Sequence, residues 1–149
     1  MRYFAYGANL NLDSMAQRCP SAFPIAPASL PDHELEFYGV ATVEPLEGST
    51  AQGALWEITP RDLESLDIFE GFPTFYRREW VTVLAQTVDG EPPVPVEAIC
   101  YFMNLTTGQE PTPPNPHYLG TILEGYADFG LDAEALRPYS EGVGDLLIS

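Results

Sequence analysis

Proline and glycine punctuate this chain fifteen and twelve times in 149 residues, and that spacing constrains its fold more than any other feature. A proline removes a backbone donor and a glycine favours turns, so the segments between them suit short helices and strands. Arg2 to Tyr6 is an aromatic-rich run that predicts a strand stopped by Gly7. Asn11 can cap a helix with Leu12, Met15 and Ala16 on one face and Asp13 in its first turn, ending at Pro20. Between Pro20 and Glu57 several short strands are predicted, of which Glu34 to Tyr38 and Gly53 to Ile58 are the clearest. Thr59-Pro60-Arg61-Asp62 starts a helix with a threonine cap, a proline at the first position and an acid completing a capping box. That helix runs to about Phe69 or Glu70, where Gly71 suits the left-handed residue that follows. Tyr76 to Val88 and Val94 to Met103 read as a long hairpin of central strands. Asn115 and Pro116 open a helix with Tyr118, Ile122 and Tyr126 at i, i+4 and i+8, which Gly130 ends. A last short helix spans Ala133 to Leu136, and the tail through Gly142 and Gly144 is expected to be loosely held. Neither a repeat nor a linker divides the chain, so residues 1–149 are expected to form a single domain.

Charge narrows the partners. The formal net charge is −16, so nucleic acid and anionic membrane surfaces are excluded as natural partners. All six basic residues are arginines, and without lysine neither Schiff-base chemistry nor a P-loop is available. The N-terminal MRYFAYGANL lacks the apolar stretch of a signal peptide, and no run is long enough to span a membrane, so a cytoplasmic protein is expected. Cys19 and Cys100 are too few and too far apart for a metal cage and read as free thiols, with no metal or other cofactor expected.

In the predicted 59–70 helix, Glu70 lies seven residues beyond Leu63 and four beyond Leu66, which puts its carboxylate on the apolar face. Desolvation and the negative end of the helix dipole would both raise its pKa toward neutrality, as general acid/base work requires. Asp67 and Glu64 fall on other faces and read as solvated charges. By spacing alone the competing reading of Glu70 is a surface residue near a helix end. The junction Tyr6-Gly7-Ala8-Asn9-Leu10 leads from strand to helix and can aim backbone N–H groups at an anion, although a plain turn has the same composition. Arg77 and Arg78 are adjacent in a strand, so only one can face inward; a structural ion pair is the expectation for it. A serine-hydrolase reading fails for lack of a nucleophile elbow, and His33 and His117 sit beside prolines without triad partners.

These segments occur in a familiar order: YFAYGANL, GALWEIT, LDIFEGF followed by a tyrosine, a YFM strand, and PPNPHYLGTILEGYADFGL. The combination resembles the γ-glutamylcyclotransferase and AIG2-like family from about Arg2 to Leu131. The resemblance implies an α+β fold, a small mixed β-barrel flanked by helices, with substrate in a cavity at the barrel. It also implies release of an amine or amino acid from a small-molecule γ-glutamyl substrate while the glutamyl group cyclises to 5-oxoproline. By position, the family's catalytic glutamate in its L-D-x-x-E-G stretch falls on Glu70. The family's Y-G-S-N-L loop, which holds the glutamyl group, falls on Tyr6, Gly7, Ala8, Asn9 and Leu10, with alanine in place of serine. That change is neutral to backbone binding and alters substrate choice if the hydroxyl contributes. Family tyrosines that line the cavity fall on Tyr76, Tyr101 and Tyr118, for which core packing is the plain alternative. The glutathione-specific branch carries a different N-terminal loop and ranks lower.

The implied chemistry needs no protein nucleophile. The substrate's α-amino nitrogen attacks its own γ-carbonyl carbon, and a pocket that folds the chain can exploit effective molarities of about 10⁵–10⁸ M. Glu70 would move the protons, and the Gly7 to Leu10 amides would stabilise either the oxyanion or the α-carboxylate. The reading from a different class is a non-catalytic member that keeps the cavity as a small-molecule binding module.

Overall fold

A computed structural model gives the structure of the chain and describes residues 1–140; the predicted loose tail through Gly142 and Gly144 lies outside them. The strands are β1 (Arg2–Ala5), β2 (Phe23–Tyr38), β3 (Val40–Glu57), β4 (Tyr76–Ala85) and β5 (Val94–Met103), and the helices are α1 (Leu12–Arg18), α2 (Pro60–Glu70) and α3 (Pro116–Asp128). Two 3-10 segments, Ala8–Leu10 and Ala133–Leu136, complete the order. The strands close into a barrel in the order β1-β3-β2-β4-β5, antiparallel except where β5 returns to β1 with Tyr3 opposite Ile99. This is the expected mixed barrel flanked by helices.

The prolines act differently from the sequence reading. Instead of several short strands, residues 23–57 form two long ones joined at Gly39, and Pro24, Pro27 and Pro31 all lie inside β2. The ladder with β3 absorbs them through register shifts between Pro24 and Ala26 and between Pro31 and His33. At the second shift Asp32 adopts φ 57, and its carboxylate accepts the Gly48 N–H at 3.0 Å. Bulges are where a strand tolerates a residue with no donor, and they also bend the strand as barrel closure requires.

Helix ends follow their chemistry. Thr59 and Asp62 form the reciprocal capping box, and Gly71 stops α2 in the left-handed region at φ 68. Asn11 and Asn115 cap α1 and α3 by accepting the Ser14 and Tyr118 amides. On α1 only Met15 is buried; Leu12 faces solvent. One core joins all the strands, through Phe4, Phe37, Leu55, Val83 and Cys100, to Met15, Leu66, Leu119 and Ile122 of the helices. At Gly125 α3 rests directly on the 8–10 turn: a Cβ there would lie 2.6 Å from Leu10 Cβ and 2.8 Å from the Asn11 nitrogen. That contact brings the first turn of α3 beside the end of β1.

Candidate functional site

After β1 the chain leaves the sheet at Tyr6 and Gly7 and tightens into the 8–10 turn. The Leu10 amide donates to the Gly7 carbonyl at 3.0 Å and the Asn11 amide to that of Ala8 at 3.1 Å. The Ala8 and Asn9 amides find no acceptor among the described residues. Gly7 is pressed against its neighbours, since a Cβ would lie 3.2 Å from Ala41 Cβ and 3.5 Å from the Tyr118 hydroxyl. Beside this turn is a cavity of about 120 Å³. Tyr3 to Asn9 of the first segment contribute Tyr3, Tyr6, Gly7, Ala8 and Asn9 to it. Val40 and Ala41 come from the start of β3, Phe69 and Glu70 from the end of α2. Phe75, Tyr76, Tyr101 and Tyr118 close it from β4, β5, α3 and the turn before β4.

Of the site residues expected from sequence, Glu70, Tyr6, Gly7, Ala8, Asn9, Tyr76, Tyr101 and Tyr118 therefore surround one space. Leu10 does not. It is fully buried against α3, and its amide closes the 3-10 turn, so neither its side chain nor its N–H reaches the cavity.

Burial pushes the Glu70 carboxyl up to about 7, and the nearby Arg18 charge pulls against that rise. Glu70 Oε1 accepts from Asn9 Nδ2 at 3.3 Å, and the same amide nitrogen donates to the Tyr3 hydroxyl at 2.8 Å. Asn9 is held in that orientation because Arg18 Nη1 donates to its Oδ1. The Arg18 guanidinium carbon also sits over the Phe69 ring, 3.4 Å from its centre. Sequence reasoning missed Arg18, Tyr3, Phe69 and Phe75. The two phenylalanines directly precede Glu70 and Tyr76 and were findable on that ground, whereas nothing in the sequence folds Arg18 back onto Asn9.

The hydroxyl hydrogens can be accounted for one at a time. Tyr6 donates to the Tyr101 carbonyl at 2.8 Å, Tyr101 to Asp67 Oδ1 at 2.6 Å, and Tyr76 to the Ala41 carbonyl. Tyr118 instead accepts the Ala41 amide at 3.0 Å, as Tyr3 accepts Asn9. Tyr3 and Tyr118 thus keep an O–H free to donate into the cavity. Burial raises Tyr118 to about 12, so it stays a neutral donor.

Asp67 corrects the sequence reading. It is partly buried and grips Arg78 with both oxygens, at 2.9 and 3.1 Å. Three residues before Glu70 on the helix, it shares the side that meets β4 and β5. Arg78 forms the expected structural ion pair with Asp67, and Arg77 on the opposite strand face pairs with Glu79 at 2.9 Å. Both cysteines are buried free thiols. Among the described residues, Glu70 is the only carboxylate in the lining, and neither a histidine nor a cysteine joins it there to make a set of metal ligands. Among the described residues, no helix is long and apolar enough to cross a membrane.

The chain has clear relatives. The family model described as gamma-glutamyl cyclotransferase, AIG2-like, matches residues 3–120. A bovine gamma-glutamylcyclotransferase is 32% identical over 89% of this chain and 73% of its own length. The human gamma-glutamylcyclotransferase is 31% identical with the same coverage. A solved structure described as a gamma-glutamyl cyclotransferase superposes with a TM-score of 0.80 at 28% identity, covering 94% of this chain and 86% of that one.

Proposed function

We propose, from the premise that this chain belongs to the gamma-glutamyl cyclotransferase, AIG2-like family, that it cleaves a γ-glutamyl amide by intramolecular cyclisation with Glu70 as the proton carrier. The observation that supports this reading is one desolvated carboxyl, pushed up to about 7, in a cavity whose other described lining residues, tyrosines, Asn9 and apolar side chains among them, carry no second carboxylate. A group titrating near neutrality accepts and returns a proton with comparable ease.

The substrate binds with its glutamyl group folded over the 7–9 turn. Ionised Glu70 takes a proton from the α-ammonium, and the freed amine adds to the γ-carbonyl carbon. Negative charge develops on the carbonyl oxygen, where the Ala8 and Asn9 amides or the uncommitted hydroxyls of Tyr3 and Tyr118 can donate. Protonated Glu70 then delivers its proton to the leaving nitrogen and takes the second proton from the ring nitrogen; as the carbon–nitrogen bond breaks and the carbonyl reforms, Glu70 passes that proton to the departing amine, which leaves as an ammonium together with 5-oxoproline. The carboxyl ends the cycle ionised, as it began.

The test is Glu70→Gln, which keeps the shape and one acceptor oxygen but cannot take up and release a proton. Release of 5-oxoproline from a panel of γ-glutamyl amides should fall by roughly 10²–10⁴-fold, the usual worth of a positioned acid/base, with the fold intact by circular dichroism. Unchanged release would remove Glu70 from the mechanism. No release by the unaltered protein from any γ-glutamyl compound would favour a binding module.

A further inference from the structure

A second cavity, of about 270 Å³, shares no lining residue with the one beside Glu70. Tyr118 of α3 lines the first and Tyr126 the second, about 12 Å further along the helix axis. It lies where the β2–β3 ladder is interrupted. Pro31 pairs with Thr50 and His33 with Pro45, so Asp32 alone faces residues 46–49. Glu34 and Leu35 border the cavity from one side of that irregularity and Ser49 and Thr50 from the other, and Ala135 and Tyr126 add to the wall. Such irregularities re-aim side chains and recur beside binding sites.

Two groups in this wall lack partners. Tyr126 is only 2% exposed, yet its hydroxyl forms no hydrogen bond with any described residue. An unpaired hydroxyl in so buried a residue costs free energy that a ligand in the cavity can recover. Glu34 is the other. Its carboxylate is grouped with those of Glu36 and Glu44, one oxygen of each lying within 4.8 Å of the others. Glu36 accepts the Phe37 amide at 2.9 Å and Glu44 the Tyr38 hydroxyl at 2.6 Å. Among the described residues no cation pairs with any of the three. Arg137, two residues beyond Ala135, is engaged by Glu134 at 2.8 Å, and Arg77, which shares a groove with Glu44, by Glu79 at 2.9 Å. His33, in that same groove, has its Nδ1 on the Pro31 carbonyl at 2.9 Å. The wall is therefore built for a cation.

Its shape decides which one. A hard divalent metal takes several charged oxygens at once, whereas Glu34 is the one carboxylate in this lining, beside the neutral hydroxyls of Ser49, Thr50 and Tyr126. An ammonium donates three N–H groups to acceptors of this kind, and Leu35 and Ala135 offer a methylene stem an apolar strip. We propose that this cavity binds a small primary alkylammonium ion, its nitrogen between Glu34 and the Tyr126 hydroxyl and its stem on Leu35 and Ala135. Neither Glu34 nor Tyr126 enters the cyclotransferase chemistry, so the site stands or falls apart from it.

Butylammonium, 1-butanol and butyrate are matched in size and differ in charge. Each is titrated into the unaltered protein and followed by amide NMR, which separates this cavity from the one at Glu70. Butylammonium should shift Ser49 to Gln52 and the residues around Tyr126 with a Kd of about 1–10 mM. Butanol and butyrate should bind there at least about tenfold more weakly, and added salt should weaken butylammonium. Glu34→Gln should lower the affinity at least about tenfold. Tyr126→Phe keeps the ring in the core; it should weaken binding several-fold while leaving the melting temperature unchanged or raised, because no internal hydrogen bond is lost. A lower melting temperature with binding intact would make that hydroxyl structural and overturn its role. Butanol or butyrate binding as tightly, or butylammonium binding unmoved by Glu34→Gln, would overturn the site. So would calcium that displaces butylammonium more strongly than sodium at equal ionic strength, since the carboxylates would then belong to a metal. Absence of these shifts with all three compounds would overturn it as well.

Discussion

Glu70, Asn9 and Arg18 act as a unit. Arg18 holds the Asn9 oxygen, which leaves the Asn9 nitrogen to face Glu70 and Tyr3, and its charge also opposes the upward shift that burial imposes on Glu70. The other titratable groups facing Glu70 are Tyr3, Tyr6, Tyr76, Tyr101 and Tyr118, all with pKa values pushed up by burial, so they stay neutral through this range. With Glu70 as the initial base, kcat/KM should rise with pH through about 7. Arg18→Gln removes the opposing charge, so the same limb should move to higher pH. Arg18→Lys keeps the charge and should leave the midpoint nearer its original place. A purely structural Arg18 would lower the whole profile without moving it, which a pH series on the variants distinguishes.

Among the elements, α3 and the 8–10 turn depend on each other. Gly125 allows them to touch, and the contact sets the distance between Tyr118 on α3 and Ala8 and Asn9 in the turn. Gly125→Ala would drive a methyl to 2.6 Å from Leu10 Cβ and 2.8 Å from backbone, where little can yield. The alanine itself favours helix, yet the overlap should dominate. The variant should lose about 1–3 kcal/mol in chemical denaturation and lose kcat/KM as well, because the cavity wall moves with the helix. Gly120, on the same helix with nothing within 4 Å of a Cβ, is the control; Gly120→Ala should be neutral or slightly stabilising. On α2 the Asp67–Arg78–Tyr101 contact ties the helix to β4 and β5 and fixes the end that presents Glu70.

The whole molecule stores the consequence of burying Glu70. Its carboxyl titrates near 4.5 when unfolded and about 7 when folded, so between those values the folded state binds more protons and stability falls as pH rises. Glu70→Gln should remove that loss. Urea denaturation should find the variant up to about 3 kcal/mol more stable than the original at pH 8, with the difference vanishing near pH 4. Local chemistry was legible in the sequence: the caps at Asn11, Thr59 and Asn115, the stop at Gly71, the β4–β5 hairpin, and Glu70 on the apolar face of its helix. These depend on neighbours a few residues away, whose spacing the chain displays directly. The ordered motifs also carried the family and its barrel. Prolines misled where they lay in β2, because a bulge that rescues a proline is made by the partner strand. Leu10, Asp67 and Arg18 were assigned only by tertiary packing, which turned the first into the core, paired the second with Arg78, and set the third against Asn9. Each of those placements is a contact between residues on different elements, and no period within one element encodes it.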